Sequence, residues 1–97
     1  MLNYMNDERK FDLCRILASN LPTLRTKAEM SQTELAERLG LSRVTISGIE
    51  SKRRMMQWST FLAAVLYFSR DTEIERLMSV MGILDDDVRQ ILNIPEV

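Results

Sequence analysis

Between Ser31 and Ser51 the chain carries a helix start signal, a stop signal and a second start signal in close succession. In Ser31-Gln32-Thr33-Glu34 a serine precedes a glutamate by three residues, the pairing that satisfies two otherwise unpartnered N–H groups at a helix start. Gly40 can adopt the left-handed conformation that ends a helix, and Ser42 offers a cap for the next one. The spacing predicts a short helix burying Leu35, Ala36 and Leu39, then a second from Arg43 to about Ser51 with Val44, Ile46 and Ile49 as its apolar positions. A linker as short as Gly40-Leu41-Ser42 forces the two helices to cross steeply, so the second can project. Ala36 is small where the helices must approach, and Ile46 and Ile49 anchor the second helix from behind. Its remaining face is short and polar, which suits a DNA major groove about 12 Å wide.

The rest of the chain is also helical in pattern. Asn6 can cap a helix whose first turn holds Asp7 and Glu8, and Phe11, Cys14, Leu17, Ala18 and Leu21 recur at helical spacing. Ser19-Asn20-Leu21-Pro22 interrupts this run. Either Asn20 caps a second helix with Leu21, Leu24 and Ala28 inside, or one kinked helix runs from Asp7 to Glu29. Trp58, Phe61, Leu62, Val65 and Phe68 form another stripe, and Asp71 to about Met81 and Asp85 to about Leu92 are two further amphipathic segments. With few glycines and prolines to break helices, the expected fold is all-α, with six or seven short helices. The 97 residues match one compact unit without repeats or long linkers. Its expected parts are an N-terminal extension (1–19), a helix-turn-helix core (20–69) and a C-terminal extension (70–97).

Composition narrows the chemistry. The chain has no histidine and one cysteine, Cys14, so the commonest general base is missing and a zinc site would need three or more carboxylates. No catalytic residues, metal or cofactor are expected, and the protein is read as a non-enzyme. Asp85-Asp86-Asp87 reads as a capped, dipole-compensating helix start rather than a metal loop. A lone thiol, no signal-like N-terminus and no membrane-length apolar run point to a cytoplasmic protein. The net charge of −1 conceals a gradient. Residues 25–54 hold seven basic and four acidic groups, whereas residues 71–97 hold two arginines against seven acids. That distribution favours nucleic-acid contact at one end of the molecule.

The run from Met30 to Glu50, MSQTELAERLGLSRVTISGIE, resembles the Cro/phage-repressor (Xre-like) helix-turn-helix family, with looser similarity over residues 20–68. The resemblance implies a lambda-repressor-like bundle of about five core helices, here with extra N- and C-terminal helices. It places Arg43, Val44, Thr45, Ser47 and Gly48 where family members reach base edges. It places Gln32, Ser42, Ser51, Lys52 and Arg53 where they hold phosphates; Arg54 joins these on charge alone. It makes Arg25 and Glu50 an internal brace. The chain departs from the family in lacking the glycines often found near Glu29 and at Lys52, and a proline near Met56.

The function implied is a sequence-specific transcriptional regulator, a dimeric repressor of phage or mobile-element type acting on double-stranded DNA. Ile74, Leu77, Met78, Met81, Ile83, Leu84, Val88, Ile91 and Leu92 exceed the apolar needs of a tail. Either they close the core or, together with the helix around Phe11, they form the candidate homodimer interface. The alternative is a protein-interaction module, such as an antitoxin or adaptor, that uses the C-terminal helices to hold a protein partner.

Overall fold

A computed structural model describes residues 5–95. Among these it contains six helices and no strand: α1 (Asp7–Lys27), α2 (Gln32–Leu39), α3 (Arg43–Glu50), α4 (Trp58–Phe68), α5 (Thr72–Val80) and α6 (Asp86–Leu92). The all-α, lambda-repressor-like architecture is therefore present. α1 packs on α3 and α4, and α2 packs on the same two helices.

The question left open at Asn20 and Pro22 is resolved as one long helix, α1, capped by Asn6, whose side chain accepts from the Arg9 N–H at 2.8 Å. Asn20 caps nothing; its side-chain amide donates back to the Ile16 carbonyl at 2.8 Å. Pro22 removes one helical hydrogen bond, which costs about 3 kcal/mol in a helix interior. Leu17, Leu21 and Leu24 are all fully buried around it, and each contributes on the order of 2 kcal/mol. Burial outweighs the local break, and the helix continues.

One core unites the molecule. It takes Leu17, Leu21 and Leu24 from α1, Leu35 from α2, Ile46 and Ile49 from α3, and Phe61, Val65 and Phe68 from α4. Met78 of α5, Ile83 and Leu84 of the following turn, and Val88 of α6 extend the same core. The C-terminal helices are thus continuous with the bundle. Arg89 ties α6 to α5, with Nη1 3.3 Å from Glu75 Oε2 and Nη2 donating to Ser79 Oγ at 2.8 Å. Asp85 caps α6 by accepting from the Val88 N–H at 2.9 Å and also pairs with Arg9 of α1. Among the described residues, no helix is long and apolar enough to cross a membrane.

Besides Asn93, which ends α6, two turns flanking the α2–α3 pair use the left-handed region without glycine. Glu29, between α1 and α2, has φ of 57°, and Lys52, after α3, has φ of 69°. These are the positions at which the chain lacks the family's glycines. The backbone takes the glycine-like course at both, at a cost of about 1–2 kcal/mol each.

Candidate nucleic-acid interface

The α2–α3 turn is built from its caps. Ser31 Oγ accepts from the Glu34 N–H at 3.0 Å, and Glu34 Oε1 accepts from the Ser31 N–H at 2.9 Å, so the capping box is complete. Hydrogen bonds to the Glu34 carboxyl, first from the Ser31 N–H and then from the Ser31 side chain, hold it below its ordinary pKa. α2 ends at Gly40 with φ of 70°, and the Leu41 N–H reaches back to the Ala36 carbonyl at 2.8 Å. Ser42 then opens α3, its hydroxyl accepting from the Thr45 N–H at 3.1 Å. Ile46 and Ile49 are buried behind α3, and Ala36 is buried in α2.

The outward side of α3 begins with Arg43 and Val44, both exposed; Val44 keeps 65% of its surface in solvent. An exposed valine on a capped helix beside an arginine matches what a thymine methyl and a guanine edge require. Thr45 and Ser47 are half-buried, and Gly48 is buried. The Thr45 hydroxyl lies 2.9 Å from Ser42 Oγ and accepts from Arg54 Nη1 at 3.1 Å.

A relay of polar side chains connects this face to the interior. Arg43 Nη1 donates to Gln32 Oε1 at 3.3 Å, and Gln32 Nε2 donates to Glu50 Oε1 at 2.9 Å. Arg25 grips Glu50 in a two-pronged pair, Nε to Oε2 at 2.8 Å and Nη2 to Oε1 at 3.0 Å. Its third nitrogen, Nη1, donates to the Met30 carbonyl at 2.9 Å, at the end of the Glu29 turn. Burial raises the Glu50 pKa, but hydrogen bonds from Arg25 and Gln32 together with the Arg25 charge outweigh it, and the net shift is downward. The same hydrogen bond raises the Arg25 pKa against the opposing effect of burial. The pair is ionised and mutually cancelling, so Glu50 subtracts little from the positive charge of the outer face.

That charge continues into the loop after α3. Ser51, Lys52, Arg53 and Arg54 are all exposed. The Gly48 carbonyl accepts from the N–H groups of Arg53 and Arg54, at 3.0 and 3.1 Å, and from Ser51 Oγ at 3.2 Å, which folds the loop back over the helix. Arg53 Nε donates to Ser51 Oγ at 2.9 Å. The Lys52 ammonium is bonded to Ser19 Oγ of α1.

Arg43, Gln32, Glu50 and Arg25 thus form one hydrogen-bonded chain and Ser42, Thr45 and Arg54 another, both reaching the first turn of α3, while Lys52 bonds to α1 and Arg53 to its own loop. Gly48 lies under Arg54 rather than open to solvent. Two residues of this region had no signal in the motif. Ser19 and Arg15, one turn apart on α1, border the loop cations, and Arg15 lines a small groove with Phe11, Lys52 and Arg54. Their spacing shows a shared helix face, but only the packing of α1 on α3 shows where that face points.

Comparison with known proteins agrees with this geometry. A family model described as Helix-turn-helix matches residues 23–55. Control protein C.SmaI of Serratia marcescens is 32% identical over 75 residues, covering 77% of this chain and 87% of that protein. No solved structure gives a significant match.

Proposed function

Since the chain belongs to the Xre-like helix-turn-helix family of DNA-binding transcription regulators, we propose that it is a sequence-specific repressor that binds its operator as a homodimer. One observation carries the reading: Arg43 and Val44 stand exposed at the capped start of α3, beside a basic loop, with Arg43 held by Gln32. Arg43 bridges O6 and N7 of a guanine, Val44 meets a thymine methyl, and Ser47 lies beside them. Gln32, Ser42 at the α3 N-terminus, Ser51, Lys52 and Arg53 hold phosphates. Gln32 has a second Nε2 hydrogen for this purpose beyond the one given to Glu50.

In this reading residues 20–69 are the DNA-binding core and residues 70–97, with Phe11 of the N-terminal segment, form the dimer interface. Of that surface Phe11, Val80 and Ile91 are exposed, Val80 to 85%, whereas Ile74, Met78, Ile83, Leu84 and Val88 are buried in the core of the chain itself. The acidic charge of residues 71–97 keeps that end away from DNA. Two-fold pairing would present two copies of α3 to half-sites about 34 Å apart, and occupancy of a promoter would block transcription without cofactor or chemistry. The regulatory role is in keeping with a relative named a control protein. The same exposed apolar residues would serve the alternative, an adaptor or antitoxin that holds another protein.

The test is selection of bound duplexes from a random library, followed by titration of the selected site. A palindromic consensus bound by a dimer supports the reading. Recovery of an unselected pool at every salt concentration contradicts it.

A further inference from the structure

Gly48 sits in the interior of α3, where glycine costs roughly 1 kcal/mol relative to alanine and no special backbone angle requires it. Its neighbour supplies the reason. A Cβ at this position would stand 3.3 Å from Arg54 Cβ, tighter than most real contacts, and 3.7 Å from Arg54 Nε. Arg54 therefore lies against the bare backbone of the recognition helix. It is hooked there by its own N–H on the Gly48 carbonyl, 3.1 Å away, and by Nη1 on Thr45 Oγ1, also 3.1 Å away. The side chain thus runs one turn along α3, from Gly48 back toward Thr45 and the Arg43 end.

The Thr45 hydroxyl is committed inside the protein, to Ser42 on one side and Arg54 on the other. The Arg54 guanidinium has five N–H donors, and the Thr45 bond takes one of them. We propose that Arg54 is a specificity-determining residue, delivered from the loop onto the reading face through the Gly48 notch, and that Thr45 is the positioning residue that acts through it. The ligand is a second guanine edge in the half-site, distinct from the one met by Arg43. This inference rests on the reading of α3 as the DNA-contacting helix.

The experiment uses the full chain and its selected duplex, with every single-base variant of the half-site titrated against wild type, Arg54→Ala, Thr45→Val, Thr45→Ser and the Arg54→Ala, Thr45→Val double variant. Circular dichroism melts show whether each variant is folded. Wild type discriminates at two guanine positions. Arg54→Ala flattens one of them by about 10-fold or more and leaves the Arg43 position intact. Thr45→Val flattens the same position, adds nothing in the Arg54→Ala background, and is rescued by Thr45→Ser, which keeps the hydroxyl. A uniform loss in Arg54→Ala across all duplexes, with a salt slope reduced by about one, makes Arg54 a phosphate contact and overturns the assignment. A Thr45→Val effect at a different base pair overturns the positioning role. Wild-type binding with no base preference overturns this inference and the function beneath it together.

Discussion

The Arg43 guanidinium donates to the Gln32 side-chain carbonyl across 3.3 Å, and this joins the exposed end of α3 to the start of α2. The amide of Gln32 has only one sensible orientation, because its nitrogen faces the ionised Glu50 carboxylate. Glu50 is in turn fixed by Arg25. The presentation of Arg43 depends on a half-buried ion pair that it reaches through Gln32.

Breaking that pair should cost more than stability. Glu50→Gln leaves Arg25, whose side chain is only 17% exposed, without a counter-charge. The expected loss is about 2–3 kcal/mol, read as a lower denaturant midpoint at unchanged slope. DNA affinity measured where the variant is still folded should also fall, because Gln32 loses its anchor.

The same carboxylate sets an acid limit. Its folded pKa lies below the unfolded value of about 4.3, so its contribution is fully present above that value. It is lost as pH falls through the folded pKa. Wild type should lose stability between pH 5 and the folded pKa faster than Glu50→Gln does. Parallel curves for the two proteins would remove the pair from this account.

At Glu29 the strain can be relieved. Glu29→Gly should leave the protein as stable or up to about 1 kcal/mol more stable, since glycine accepts φ of 57° without a Cβ clash. Glu29→Val should destabilise by more than 1 kcal/mol, because a β-branched residue tolerates that conformation worst. Thermal melts of the two variants check the sign of each.

The dimer surface has a clean probe in Val80, which is 85% exposed and buries almost nothing in the monomer. Val80→Asp should leave the melting temperature of a dilute monomer unchanged. Sedimentation should show a weaker dimer, and operator affinity should fall with it. An unchanged dimer would move the interface elsewhere.

Local signals carried most of what was legible before the fold was known. Ser31 with Glu34, Gly40 and Ser42 mark helix ends through bonds that span three or four residues, and all appear where the spacing places them. Asn20 and Pro22 gave an equally local signal, but burial of Leu17, Leu21 and Leu24 overrode it. The fold class and family followed from the motif. The joining of Lys52 to Ser19, and of Arg54 to Thr45, depends on a loop whose course turns on one left-handed lysine. No spacing rule contains that information.

The central claim is that α3 reads DNA through Arg43. Fluorescence anisotropy of a labelled selected duplex, titrated with wild type and Arg43→Ala at several salt concentrations, tests it most directly. Wild-type affinity should fall steeply as salt rises, in proportion to the phosphates held, and should exceed that for a scrambled duplex by at least about 1,000-fold. Arg43→Ala should keep most of the salt slope while losing most of that preference at one base pair. Equal affinity of wild type for selected and scrambled duplexes, or full preference retained by Arg43→Ala, would contradict the claim.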